Sequence, residues 1–218
     1  MGSMTSPASD SLTVILSRLD ARVRKVDEER WLSSRYASAK KRQSLITLYA
    51  FYYELARVRI SVSDPTLGQI RFQWWRDALA ELERGEPRQH DVVIALMAEY
   101  EQAPVWMAGL KEIVDQFEAA FLANARDQEP DDLLALTASA VCQPDHVVAD
   151  ANLQIAREWT KLRRGETVEA PVAGARVSAT LRPALAHFRL RHVWTRKKTL
   201  GRLQIRLSIL MAMIFGRI

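Results

Sequence analysis

The sequence predicts an all-α fold, a bundle of many helices, on three observations. Apolar residues recur three and four positions apart along nearly every segment of the chain. Glycine and proline occur only eight times each among 218 residues, which leaves long segments free of helix breakers. No segment alternates between apolar and polar residues as a half-buried strand would. We therefore expect one helical domain over residues 11–218, preceded by a tag-like, disordered start over residues 1–10.

The first half of the chain is predicted to form four helices. Residues 11–35 and 40–61 each carry an apolar stripe. The sequence Ser-Asp-Pro at 63–65 combines capping residues with a first-turn proline, so it should end one helix and start the next. That third helix should end at Gly85, and residues 90–102 should form the fourth.

The second half is predicted to form three further helices, a loop and two final helices. Glycine and proline recur after Gly165 without a helical stripe, which is typical of a loop. The predicted helices span residues 105–125, 129–141, 143–165, 181–195 and 200–215, and the predicted loop spans residues 165–180.

Composition narrows the function classes. A single cysteine, Cys142, permits neither an internal disulfide nor a CxxC metal site. The first residues lack the pattern of a signal peptide, and no run of apolar residues is long enough to span a bilayer. Because no helix-turn-helix, zinc-finger or similar motif accompanies the basic residues, we expect no nucleic-acid partner. We expect a cytoplasmic protein that can sit peripherally on the inner membrane face.

The positive charge is confined to the C-terminal end. Residues 170–218 contain ten lysines and arginines and no acidic residue, whereas residues 1–169 contain 21 basic and 26 acidic residues. An acid-free basic segment favours an anionic partner, such as a membrane surface or an acidic protein face, or else packing against the acidic remainder of the chain.

The last predicted helix has two interpretations. Its apolar stripe comprises Leu200, Leu203, Leu207, Leu210, Met211 and Ile214, with the basic residues off the stripe. A basic amphipathic helix of this kind can lie on an anionic membrane. It can also be an ordinary core helix with solvated arginines, which is the interpretation we favour. The candidate residues for a membrane or anionic partner are Arg196, Lys197, Lys198, Arg202 and Arg206.

Four stretches carry a resemblance to the squalene/phytoene synthase family: "RYASAKKRQSLITLYAFYYELARV", "SDPTLGQIRFQWWRDALAEL", "DDLLALTASAVCQPDHVVADANLQIAR" and the C-terminal "LQIRLSILMAMIFGRI". The first two are most similar to a branch that holds bacterial homologues and a mitochondrial respiratory complex I assembly factor. The resemblance implies a bundle of the isoprenoid-synthase type, shortened in its C-terminal third. It also implies that the chain binds a prenyl lipid or a prenyl diphosphate.

The family's chemistry requires two helices that each present an aspartate cluster to Mg²⁺ ions on a diphosphate. Matched to the family's first motif, this sequence has Ala56, Arg57 and Ile60 where aspartates are expected. In the second motif Gln154 and Glu158 match loosely, but no aspartate pair follows, and Lys161, Arg163 and Arg164 stand in that neighbourhood instead. Arginines cannot replace carboxylates as Mg²⁺ ligands. We therefore expect no catalytic residue, no metal site and no cofactor, with Mg²⁺ needed only if the chain is an enzyme after all.

A ligand pocket can still survive without the metal. Adjacent tryptophans on a helix point about 100° apart, so of Trp74 and Trp75 one should enter the core and the other should border a groove. The candidate pocket residues are Tyr49, Tyr53, Ala56, Arg57, Ile60, Arg71, Gln73, Trp74 and Gln154.

Other polar groups have simpler interpretations. Asp131 and Asp132 lie at a predicted helix start, where we interpret them as capping residues. The histidines show no metal-ligand spacing.

Three functions therefore remain open. The first is a non-catalytic, lipid- or protein-binding protein of the assembly type. The second is an active head-to-head prenyl synthase with a degenerate metal site. The third is a membrane-surface scaffold that acts through the basic C-terminal helix.

Overall fold

The all-α prediction is confirmed by the structure, a computed structural model that describes residues 7–101, 105–145, 147–195 and 201–218. Within these ranges the regular structure is helical, and one isolated antiparallel bridge joins Arg176 to Arg217. The α-helices are α1 (Pro7–Val26), α2 (Glu28–Ser34), α3 (Ala39–Ser61), α4 (Pro65–Glu83), α5 (Asp91–Tyr100), α6 (Gly109–Leu122), α7 (Asp131–Cys142), α8 (Asp150–Arg163), α9 (Arg182–Leu185), α10 (Arg191–Trp194) and α11 (Arg202–Phe215). Short 3₁₀ segments are Val105–Ala108, Arg126–Gln128 and Ala186–Leu190.

The first predicted helix is wrong in one respect, because it is two helices that meet at Asp27. The backbone of Asp27 leaves the helical region, with φ −148° and ψ 76°. Its side chain accepts a hydrogen bond from the backbone N–H of Arg30 and so caps α2. The break redirects the chain and turns Asp27 into the interior, where its side chain is fully buried.

Two other predicted helices also differ from the structure. The helix predicted from residue 143 begins only at Asp150, since the backbone is extended at Gln143 and again at Ala149. The helix predicted over residues 181–195 is α9, a 3₁₀ segment and α10 in succession. The tighter 3₁₀ turns bring His187 and Phe188 against Trp159 of α8. Part of the last prediction, Leu200, lies outside the described residues.

Helix α3 runs through the centre of the bundle and contacts α1, α2, α4, α5, α6 and α7. Its middle is buried nearly all round, as expected of a central helix. The buried side chains there include Leu45, Leu48, Tyr49, Phe51, Tyr52 and Leu55. Because these surrounding helices pack on α3 from several sides, they hold its polar side chains at fixed positions inside the molecule.

Helix α11 packs in the opposite way to our favoured interpretation. Its buried side chains are Ile209 and Ala212, which face the 3₁₀ segment Ala186–Leu190 and α2. The predicted stripe lies on the other side, where Leu203 is 69% exposed and Leu207 is 50% exposed. The helix ends at Gly216, whose positive φ of 67° forms a left-handed cap. The interpretation of that stripe as a core face is therefore wrong.

Candidate functional site

A cluster of charged side chains fills the space between α2, α3 and α8. The central ion cluster, as we call it, consists of Asp27, Arg30, Tyr53 and Arg163. The cap of α2 supplies Asp27, its first turn supplies Arg30, the middle of α3 supplies Tyr53, and the last residue of α8 supplies Arg163. The cluster therefore ties α8 to α2 and α3, two consecutive helices much earlier in the chain.

One carboxylate oxygen organises this cluster. Oδ2 of Asp27 accepts hydrogen bonds from Nη1 of Arg30 at 3.0 Å and from Nη1 of Arg163 at 2.8 Å, and it also accepts from the Tyr53 hydroxyl. The Tyr53 oxygen in turn accepts from both guanidinium groups, at 3.0 Å and 3.1 Å. Asp27 and Arg30 are buried, and Arg163 is only partly exposed. Each charge is thus met by an opposite charge inside the protein.

A second layer of ion pairs surrounds the cluster. The hydroxyl of Tyr52 donates to Oδ1 of Asp131 at 2.7 Å, and that oxygen lies 4.0 Å from Arg30. Arg59 pairs with Glu129 at 2.9 Å. The interpretation of Asp131 as a helix cap is wrong: it lies in the first turn of α7 without capping it, and its side chain bonds Tyr52 instead.

Aromatic rings line the apolar side of the cluster. The guanidinium carbon of Arg30 lies 4.7 Å from the centre of the Trp159 ring, and that of Arg163 lies 5.2 Å from it. Trp159 is fully buried and also contacts His187 at a ring-centre distance of 4.9 Å. Cation–π contacts of this kind stabilise buried guanidinium groups that water cannot reach.

The ionisation of the cluster follows from these contacts. Burial alone would raise the pKa of Asp27, but the Arg163 and Arg30 charges and the Tyr53 hydrogen bond outweigh it and hold that pKa below its usual value. Burial, with the Asp27 charge, raises the pKa of Tyr53 to about 12. Burial also raises the pKa of Asp131 and of Glu29. Asp27 is therefore ionised and Tyr53 is neutral at neutral pH.

A separate surface cleft lies between α3, α4 and α5. This aromatic–basic cleft has a volume of about 580 Å³, and its walls are Glu54, Arg57, Val58, Ser61, Ile70, Arg71, Trp74, Trp75 and His90. Trp74 and Trp75 meet edge to face with ring centres 5.0 Å apart, and both contact His90. Trp75 is buried in the core and Trp74 is half-buried at the cleft, as predicted, although the Trp75 ring also forms part of the cleft wall. The cleft can accept an apolar group beside an anionic one.

The structure distributes the candidate pocket residues over several places. It brings Arg57, Arg71 and Trp74 together in the aromatic–basic cleft, and it places Tyr53 in the central ion cluster. Tyr49 is buried in the core, with the pKa of its hydroxyl raised by burial. Ala56 is half-buried on α3.

The remaining candidates lie apart from the cleft and the cluster. Ile60 is exposed and borders a different depression beside Phe121. Gln73 donates to Asp77, one turn further along α4. Gln154 is exposed on α8. Of the predicted basic partner residues, Arg202 and Arg206 are exposed on α11, while Arg196, Lys197 and Lys198 lie outside the described residues.

Sequence reasoning missed Asp27 and Arg30. They lie in the run "RKVDEER", which resembles a solvated helix surface. A usable signal was present, because an aspartate side chain often starts a helix by accepting a hydrogen bond from the backbone N–H three residues later. The tertiary partners Tyr53 and Arg163, at sequence distances of 26 and 136 residues from Asp27, could not be inferred from local pattern.

Over the described ranges, no group of three or more His, Cys, Asp or Glu side chains is arranged to hold a metal ion. In the same part of the chain, no helix combines the length and the hydropathy needed to cross a bilayer.

Comparison with known proteins identifies one family. The squalene/phytoene synthase family model matches residues 23–141, which is more than half of the chain. The chain is 34% identical over 96 residues to the human protein named NADH dehydrogenase (ubiquinone) complex I, assembly factor 6. The bovine and mouse proteins of that name are 32% and 33% identical over 96 residues. Each match covers 44% of this chain and 29% of the relative's length. No solved structure matches.

Proposed function

Because this chain belongs to the squalene/phytoene synthase family, we propose that it is a non-catalytic member that binds a partner and assists assembly. One observation carries this proposal: the charges in the middle of the bundle are paired with one another. Asp27, Arg30, Tyr53 and Arg163 satisfy each other's hydrogen bonds. A synthase instead needs carboxylates available there to hold Mg²⁺ on a diphosphate.

The side chains at the family's motif positions do not fit Mg²⁺ and a diphosphate. Ala56 and Ile60 offer no metal ligand, and Arg57 pairs with Glu54. On the facing helix, Glu158 accepts hydrogen bonds from Arg191 and from the backbone of Val172. Guanidinium groups repel a metal cation rather than ligate it. No catalytic step is therefore assigned to these residues.

An assay for prenyl condensation tests the non-catalytic part of the proposal. The purified chain is incubated with farnesyl or geranylgeranyl diphosphate, Mg²⁺ and NADPH, and products are separated from substrate by chromatography. We expect substrate to remain unchanged, whereas an active family member run in parallel should form the condensed product. Condensation that scales with the concentration of this chain would overturn the proposal in favour of an active synthase.

The aromatic–basic cleft is the binding surface we propose for the partner. Trp74 and Ile70 offer apolar contact and Arg71 offers positive charge at the same opening, where Arg57 pairs with Glu54. A protein segment with an aromatic or aliphatic residue beside a carboxylate fits this combination. The names of the relatives point to NADH dehydrogenase (complex I) as the complex whose assembly is assisted.

A genetic experiment tests the assembly role. Deleting the gene should lower the amount of assembled NADH dehydrogenase on native gels, and the unaltered gene should restore it. Arg71→Glu should restore little, because it reverses a charge at the cleft, while Arg84→Glu on the far end of α4 should restore fully. An unchanged amount of complex after deletion would contradict the assembly role.

A further inference from the structure

Helix α11 exposes a continuous apolar stripe to solvent. The outer stripe, as we call it, consists of Leu203, Leu207, Leu210, Met211 and Ile214. These positions follow the spacing of one helix face, and they lie opposite Ile209 and Ala212, which are 1% and 0% exposed. The helix thus has one apolar face for the core and a second apolar face that the described part of the chain leaves uncovered. Burying large apolar side chains stabilises, so a second apolar face indicates a docking surface.

The charged side chains that α11 itself carries are all basic. Arg202 and Arg206 are exposed beside the outer stripe. Residues 170–218 contain no acidic residue. The partly buried Glu28 of α2 lies 3.8 Å from Arg206, a distance too long for a hydrogen bond. The surface that presents the stripe is therefore basic.

We infer that the outer stripe of α11 docks on the surface of a bilayer that contains anionic lipid. The five apolar side chains enter the boundary between headgroups and acyl chains, and the arginines stay at the level of the phosphates. The helix lies parallel to the bilayer plane, because its opposite face is fixed to the core by Ile209 and Ala212. This interaction is independent of the aromatic–basic cleft.

Charge complementarity favours a lipid surface over the other possible occupants. A second copy of the chain would bring another basic, acid-free segment against the first, and like charges would then oppose the contact. A bilayer with anionic headgroups supplies apolar depth and negative charge at once, over an area larger than the helix, which is about 21 Å long.

Co-sedimentation with vesicles tests the inference. The full chain is mixed with vesicles of phosphatidylcholine alone, or of phosphatidylcholine with phosphatidylglycerol, at about 0.1 M and about 1 M salt. Binding should be strong only with phosphatidylglycerol and should weaken at high salt. Arg206→Gln should weaken binding about fivefold, and Leu203→Gln/Leu207→Gln should weaken it about tenfold or more.

Matched variants separate docking from general effects. Arg206 is 56% exposed and Arg84 is 59% exposed, and each lies 3.8 Å from one carboxylate, so Arg84→Gln is the control for Arg206→Gln. Val14→Gln/Leu67→Gln removes two comparably exposed apolar side chains from other helices. Both controls should bind like the unaltered chain, and circular dichroism should give all variants the same melting temperature.

Three results would overturn the inference. One is equal binding to both vesicle types. Another is retention of binding in Leu203→Gln/Leu207→Gln. The third is a stable dimer in light scattering that these two substitutions dissociate, which would assign the outer stripe to a second copy of the chain.

Discussion

At the residue scale, the folded state depends most on Asp27. Its carboxylate caps α2 and neutralises Arg30 and Arg163 at the same time. Removing one partner of a buried ion pair leaves the other charge uncompensated in a poorly solvated place. The central ion cluster therefore stabilises the fold as a unit, and replacing any one of its charged side chains should destabilise it.

We expect Asp27→Asn to lower the free energy of unfolding by about 3–5 kcal/mol, because two guanidinium groups lose their counter-charge. Urea denaturation followed by circular dichroism measures this loss. Tyr53→Phe should cost about 1–2 kcal/mol, since it removes only the hydroxyl that bridges the same groups.

The matched control is an ion pair at the surface. Arg18 pairs with Asp91 at 2.7 Å, but the Arg18 side chain is mostly exposed. Arg18→Gln should change the free energy of unfolding by about 0.5 kcal/mol or less. A loss for Asp27→Asn as small as this would contradict the structural role of the cluster.

A second residue-scale prediction concerns His187. Burial, with the nearby Arg30 charge, keeps the pKa of this histidine well below its ordinary 6.5. Below pH 6.5 the unfolded chain therefore binds a proton that the folded chain does not, and stability falls by up to about 1.4 kcal/mol per pH unit. His187→Phe should remove this part of the slope between pH 7 and pH 5 in denaturation experiments.

The carboxylates with raised pKa act in the opposite direction. Glu29, Glu129 and Asp131 favour the folded state as they take up protons. The decisive quantity is therefore the difference between His187→Phe and the unaltered chain in how steeply the free energy of unfolding changes with pH. An identical pH dependence for His187→Phe and the unaltered chain would show that His187 titrates as freely in the folded state as in the unfolded state.

Sequence reasoning at this scale succeeded for Trp74 and Trp75 but failed for Asp27. The tryptophan prediction rests on the angle between adjacent helix positions, which is a local property. The role of Asp27 depends on Tyr53 and Arg163, which only the packing of α3 and α8 brings near it.

At the element scale, α11 shows why an apolar stripe does not by itself identify the buried face. The helix carries apolar residues on two faces, and the sequence stripe of Leu203, Leu207 and Leu210 is the exposed one. The buried face is smaller, with Ile209 and Ala212 against the 3₁₀ segment. Which face of α11 is buried depends on packing against the 3₁₀ segment, and that segment in turn packs against α8.

A pair of truncations on α11 tests this assignment. Ile209→Ala should lower the free energy of unfolding by about 2–5 kcal/mol, because it removes buried methylene groups and leaves a cavity. Leu207→Ala should change it by about 0.5 kcal/mol or less, since Leu207 is on the exposed face. Thermal unfolding of both variants gives the comparison, and a larger loss for Leu207→Ala would reverse the assignment of the faces.

At the scale of the whole molecule, the chain keeps the all-α bundle, and the paired side chains of the central ion cluster occupy the space between α2, α3 and α8. The all-α bundle and most helix positions could be predicted from apolar spacing and breaker residues, because these record local backbone preference and burial. The broken segment 181–195 could not, because tertiary contacts override local helix preference there. The break at Asp27 has a local capping signal, which sequence reasoning missed.

The position of the binding surfaces also depends on the whole molecule. Arg57, Arg71 and Trp74 lie on α3 and α4, and the packing of these helices brings them to one opening. The outer stripe of α11 belongs to a different element and carries a different partner class.

The most direct test of the central claim is a calorimetric titration of the purified chain with farnesyl diphosphate, once with Mg²⁺ and once with EDTA. If the central ion cluster stands in place of a metal–diphosphate site, Mg²⁺ should make no difference to the binding heat. Saturable binding that requires Mg²⁺ would contradict the claim, because it would show a working diphosphate site in the bundle.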